Sequence, residues 1–221
     1  MMLNQAAMSK VSNHRVACVT GGAKRIGRAL VLALHQANYN IIIHYHTSES
    51  EAIELVDYCN AVRPQSAKSV QGDLENFETL PQLTWRIINS FGRLDCLVHN
   101  ASRFYPTPFG QISQQDWQNL FLTNAQTPLF ISQYLYPYLK KSQGCIISIL
   151  DIHANGKPFG GYTVYNMAKA AHQMMVQSLA IELAPDIRVN GIAPGINILP
   201  MEGTEQALTA ETIEKICHAV P

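Results

Sequence analysis

The chain has 221 residues, 47% of them hydrophobic and 14% charged, which suffices for one domain with a full core. Sixteen basic residues balance sixteen acidic ones, so no general surface for nucleic acid or an anionic membrane is expected and any anion site has to be local. Five scattered cysteines without a Cys-x-x-Cys pair read as reduced core residues, and no run is apolar and long enough to cross a bilayer or serve as a signal peptide; a cytoplasmic protein is expected.

Residues 1–13 are polar and small, and read as a flexible tail ahead of a single domain over 14–221. From Arg15 to Thr20 the chain is short and β-prone, and Gly21 to Gly27 then leads into a helical run through Leu34. The pattern repeats with Ile41 to Ile43 as a strand and a helix to about Val62, opened by a capping box of Ser48 with Glu51. Ser69 to Gln71 is a short strand, Leu80 to Phe91 a helix closed by Gly92, and Leu94 to His99 a fourth strand. Ser113 with Asp116 caps a helical stretch that is interrupted near Pro128 and ends near Leu139; Ile146 to Leu150 is the fifth strand. A helix from about Tyr162 to Leu183 and a strand from Ile187 to Ala193 complete six βα units, and Thr209 to Val220 reads as one more helix. Strands that are apolar throughout predict an α/β, doubly wound parallel sheet with both faces covered.

In such sheets a ligand lies beyond the carboxyl ends of the strands, and the unusual residues fall there: Gly21 to Gly27, His44 to Ser48, Asp73, Asn100 to Tyr105, Asp151 and Pro194-Gly195. A glycine turn opening a helix suits a pyrophosphate. The second strand ends in His44-Tyr45-His46-Thr47-Ser48, without the carboxylate that would hold a free ribose, and Lys24 and Arg25 face it, which points to NADP(H). The competing reading makes His44 and His46 plain exposed strand-end residues; a metal at this His-x-His lacks a third ligand at a recognisable spacing. Asp73 either accepts from an adenine amino group or holds a turn. Tyr165 and Lys169 are four apart, so on a helix they share a face, and an ammonium there would lower the phenol's pKa and ready it for proton transfer.

These residues resemble the short-chain dehydrogenase/reductase family across nearly the whole chain: the Thr20-Gly21 turn, Gly72-Asp73-Leu74, Asn100-Ala101-Ser102, Asn124, the Tyr165/Lys169 pair and Pro194-Gly195 stand in the family's order. Within it the chain resembles the pteridine reductases, through Thr20 to Gly27 with Arg25 for the usual middle glycine, through His44-Tyr45-His46, and through Asn100 to Pro108. Asp151 stands where most of the family has a catalytic serine. The resemblance implies a single Rossmann domain with NADP(H) held by Thr20, Gly21, Lys24, Arg25, Ile26, Gly27, His44, Tyr45, His46, Ser48, Asp73, Leu74, Asn100, Ala101, Ser102, Tyr165, Lys169, Pro194 and Gly195. It also implies a pterin substrate against Arg25, Ser102, Phe104, Asp151 and Tyr165, with Phe104 on one face of the ring. Asn124 would hold a water near Lys169, and the subunits would form a tetramer. The family's sequence continues through a further helix and a seventh strand, which this one lacks, leaving the sixth strand as an expected open edge. Arg103 and Thr47 depart from the narrower group.

The aspartate has a chemical reason. An ionised carboxylate would repel the oxyanion formed when a carbonyl is reduced. Reduction of a pterin instead sends hydride to a ring carbon and a proton to the neighbouring nitrogen, so a carboxyl bonded to a tyrosine can relay that proton, and the apolar run before Asp151 would favour its protonated form during turnover. A reductase of acyl thioesters or sugars, and a non-catalytic NADP-binding paralogue, are the alternative functions.

Overall fold

The structure, a computed structural model, describes residues 11–154 and 156–195; most of the expected tail and the helix read at Thr209 to Val220 lie outside the described residues. Six strands, β1 (Val16–Val19), β2 (Asn40–Tyr45), β3 (Ala67–Gln71), β4 (Cys96–His99), β5 (Cys145–Ile149) and β6 (Arg188–Ile192), alternate with α1 (Arg25–Gln36), α2 (Glu49–Val62), α3 (Leu80–Phe91), α4 (Gln114–Phe121), α5 (Thr127–Ser142) and α6 (Thr163–Glu182). The strands are parallel in the order β3-β2-β1-β4-β5-β6. The winding reverses between β1 and β4, and at that switch point their carboxyl ends part to leave a crevice.

Alternate residues of each strand feed opposite cores. Val16, Cys18, Ile42, Leu97 and Ile146 pack with Leu83 and Ile87 of α3, Ile131 and Leu135 of α5 and Val176 of α6. Ala17, Val19, Ile41, Ile43 and Val98 pack with Val31 of α1 and Leu55 and Cys59 of α2. β1 and β2 are buried at every position, as their apolar runs predict, whereas the outer strand β6 buries only Val189. Cys18, Cys59, Cys96 and Cys145 are buried free thiols. No helix of the described residues is long and apolar enough to cross a membrane.

Two local signals read from the sequence are realised. Gly92 ends α3 at φ 72°, the left-handed conformation that favours glycine, and Ser113 and Asp116 form a reciprocal capping box on α4. One is not. Ser48 precedes α2 but its side chain makes no cap bond, and Glu51, the other half of the expected box, reaches out of the helix to Lys24. The interruption expected near Pro128 is a π-helical turn, Leu122–Gln126, in which the Thr127 amide donates to Leu122 O. Wider turns of this kind often sit at functional sites, and here the turn carries Asn124.

Candidate active site

The glycine turn is built on close contact. A Cβ on Gly27 would stand 2.1 Å from Gly21 O and 2.7 Å from Asn100 Nδ2, so α1 can start against the turn only with glycine there. Gly21 has φ 60° and Arg25 φ 47°; the family's usual glycine at the second position fits that conformation, and the arginine holds it at a cost. Thr20 Oγ1 accepts from the amides of Asn100 (2.9 Å) and Ala101 (3.1 Å), and Asn100 Nδ2 donates to Thr20 O (2.9 Å) and Gly21 O (3.0 Å). These bonds lock the ends of β1 and β4 around a cleft of about 400 Å³, lined by the turn, by Tyr45 to Ser48 and by Asn100 to Ser102.

His44 is a correction to the sequence reading. Its ring does not face the cleft: Nδ1 accepts from the Gly21 amide (3.2 Å) and Nε2 donates to Gly72 O (3.1 Å), a bonding pattern that fixes the neutral tautomer. Burial lowers its pKa to about 4, against the opposing pull of Gly72. His44 thus braces the turn. Its carbonyl also takes the Gly22 amide (2.9 Å), which leaves an anion to the opening turn of α1, where helix geometry gives the first amides, Ile26 and Gly27 among them, no intrahelical acceptor. His46 is exposed and lines the cleft, together with Tyr45 and Ser48.

Asp73 and Leu74 follow β3 but do not line that cleft. Asp73 Oδ1 accepts from the Glu75 amide (2.9 Å), the turn role weighed for it, and Leu74 O accepts from Thr127 Oγ1 (2.6 Å). Pro194 O accepts from the Ile152 amide (3.3 Å), placing Pro194-Gly195 beside the loop that carries Asp151.

Beyond β5 the reactive groups meet. Tyr165 Oη donates to Asp151 Oδ2 at 2.7 Å, and Asp151 Oδ1 accepts from the His153 amide at 2.9 Å. Lys169, one turn along α6, donates from Nζ to Ile149 O (3.0 Å) and lies 5.8 Å from the Tyr165 ring centroid. Burial lowers its pKa to about 8, partly offset by Asp151. Tyr165 moves opposite to expectation: burial first, then its hydrogen bond to Asp151, push its pKa up, while the ammonium is turned to Ile149 O. The phenol therefore keeps its proton and is a donor at neutral pH.

Asn124 is buried and serves as a clamp. Its Oδ1 accepts from Ser102 Oγ (2.7 Å) and the Arg103 amide (3.2 Å), and its Nδ2 donates to Arg103 O (2.9 Å). Arg103, the departure from the narrower group, pairs through its guanidinium with Glu75, which also accepts from Thr123 Oγ1 (2.9 Å). Phe104 stacks on Tyr162 at 4.5 Å and 11° and meets Tyr165 edge-on at 4.8 Å. Phe159 joins Tyr162 at 4.7 Å. Tyr162 could have been found from its position three before Tyr165, at the cap of the helix that carries it.

The family profile for short chain dehydrogenases matches residues 15–207. The chain belongs to that family. It is 36% identical over 223 residues to pteridine reductase 1 of Leishmania tarentolae, covering 84% of this chain and 77% of the relative. It is also 29% identical over 182 residues to the hydroxynaphthalene reductase-like protein Arp2 of Metarhizium anisopliae (strain ARSEF 549), covering 82% and 67%, and 28% identical, with the same coverage, to that of Metarhizium robertsii. Membership implies a nicotinamide cofactor. The residues fit one: Gly21 and, at the start of α1, Arg25, Ile26 and Gly27 line the open cleft, and Ser102 on its wall bonds Tyr165.

Proposed function

We propose that the chain is an NADPH-dependent reductase of a pterin ring, acting on a dihydropterin or an oxidised pterin. The observation that carries this reading is the 2.7 Å bond between Tyr165 and Asp151, a phenol and a carboxyl side by side where a carbonyl reductase needs a neutral hydroxyl. The named pteridine reductase relative supports it. Bound in the cleft, the nicotinamide would supply a hydride. Tyr165, held protonated by its surroundings, gives its proton to the nitrogen beside the carbon being reduced, and a proton held on the Asp151 carboxyl then passes along the shared bond to restore the phenol. Lys169 offsets the charge left on the phenol. Phe104, fixed by Tyr162, offers a flat wall for a planar ring, and Ser102, Asn124 and Arg25 shape the rest of the pocket.

A second reading, reduction of a ketone on a thioester, sugar or polycyclic substrate, draws on the two hydroxynaphthalene reductase-like relatives. NADPH oxidation measured against dihydrobiopterin, dihydromonapterin, dihydrofolate and an acetoacetyl thioester separates the two; turnover of the thioester alone would overturn the pterin reading. Buried free thiols suit a reducing, cytoplasmic setting. Self-association belongs to the same proposal. Met167, Met174 and Ile181 leave α6 with apolar side chains in solvent, and light scattering at the mass of one chain would rule the tetramer out.

A further inference from the structure

The sequence at the end of β2 has no carboxylate, yet the fold brings two to it. The first turn of α2 projects Glu51 across the mouth of the cleft, where its Oε1 pairs with Lys24 Nζ at 2.6 Å. Its Oε2 accepts from Ser50 Oγ at 3.0 Å, and Glu49, two residues earlier, accepts from Tyr45 Oη at 3.4 Å. Lys24 is one of two cationic residues that line the cleft, with Arg25, and it faces His46, Thr47 and Ser48. A dinucleotide with a 2′-phosphate on its adenosine ribose would call on this part of the cleft for cations. The lysine's ammonium is already engaged.

We infer that Glu51 is a specificity-determining residue for the cofactor: by holding Lys24 it competes with a ribose 2′-phosphate for the same ammonium, and so narrows the preference for NADPH over NADH. This rests on the reading of the cleft as a dinucleotide site. The pair is a latch and not a lock, since 52% of the lysine side chain and 39% of the glutamate are exposed, and exposed ion pairs contribute little in water. A phosphate carrying up to two charges and three acceptor oxygens is the stronger partner for an ammonium, so Lys24 changes partner when NADPH binds, at the expense of part of the phosphate's contribution. NADH, with a plain 2′-hydroxyl, leaves the latch closed and loses nothing. The effect acts on one cofactor only.

The test is a binding titration that needs no turnover. Dissociation constants for NADPH and NADH, and for adenosine 2′-monophosphate as a fragment bearing the phosphate, are measured by calorimetry on the wild-type chain and on Glu51→Gln, Lys24→Met and the double variant. Glu51→Gln removes the charge and keeps the length; it should tighten NADPH and the 2′-phosphate fragment by up to about fivefold, the range of an exposed pair, with NADH unchanged within twofold. Lys24→Met should weaken NADPH and leave NADH alone. In the Lys24→Met background Glu51→Gln should change nothing beyond twofold, because the glutamate acts through the lysine. An equal gain for both nucleotides, or no gain for NADPH, overturns the inference while leaving the dinucleotide reading intact. Failure of the wild-type chain to bind either nucleotide overturns both, and is a different result.

Discussion

Asp151 and Tyr165, fourteen residues apart in sequence, meet through a single 2.7 Å hydrogen bond in which the phenol donates to the carboxylate. The bond couples the loop after β5 to the first turn of α6, and a serine at 151 would be shorter and could not act as an acceptor-only charged partner. Asp151→Ser should therefore lower kcat for a dihydropterin by roughly 10²–10⁴-fold, the range of a lost positioned acid or base. Steady-state rates on the purified variant decide it. Pterin turnover within tenfold of wild type would show that the carboxyl is not part of the proton path.

Lys169 gives the reaction an alkaline limb. It bonds Ile149 O through Nζ, burial lowers its pKa to about 8, and in the proposed reaction its ammonium form offsets charge on the phenol. A base with a lowered pKa loses its charge early as pH rises, so kcat should fall as pH increases through about 8. Lys169→Met should be slow at every pH and lack that limb. A wild-type profile that stays flat to pH 10 would speak against a charged Lys169 in turnover.

Much of the fold was legible because its signals are local. The glycine turn, the Gly92 stop, the Ser113 box and six apolar runs each depend on neighbours in sequence. The site was legible in its membership and less so in its geometry. Histidine at 44 reads as a strand-end residue facing the nucleotide, yet strand alternation turns the ring inward, where Gly21 and Gly72 use both nitrogens. Glu51 reads as a capping partner of Ser48, and only the position of α2 beside the turn shows that Lys24 claims it. Four residues separate Tyr165 from Lys169, and that spacing fixed a shared face without saying that the ammonium would turn to Ile149 O.

Gly27 is the tightest point of the cofactor end. A methyl there would meet Gly21 O at 2.1 Å and Gly22 Cα at 2.9 Å, both backbone and unable to yield cheaply. Gly27→Ala should cost about 1–3 kcal/mol of stability, as other forced overpacking does, and should weaken nucleotide binding by moving the start of α1. Urea unfolding with and without NADPH measures both. If the variant matches wild type in each, the contact between α1 and the turn is looser than described.

Of the four histidines buried among the described residues, the three with the largest shifts make the fold sensitive to mild acid. Burial is the leading cause of lowering for all three: His44 to about 4, His99 to about 3 and His172 to about 2. His99 and His172 bond the hydroxyls of Ser132 (2.8 Å) and Ser148 (3.0 Å), and their rings meet edge-on at 6.0 Å. In the unfolded chain each titrates near 6.5. Between that value and the folded one the unfolded state binds more protons, so stability is full above about pH 6.5 and falls as pH drops, by up to about 1.4 kcal/mol per pH unit for each histidine. The depressed carboxyls of Glu51 and Asp116 begin to act only below their ordinary values of 4.5 and 3.8, where they add to the histidines, so a loss between pH 6.5 and 5 is not theirs. The urea midpoint should hold steady from pH 8 to 7 and drop between 6.5 and 5, and His172→Gln, which cannot take up that proton, should show a shallower drop. Equal slopes in the two proteins would mean that His172 is reached by water in the folded state.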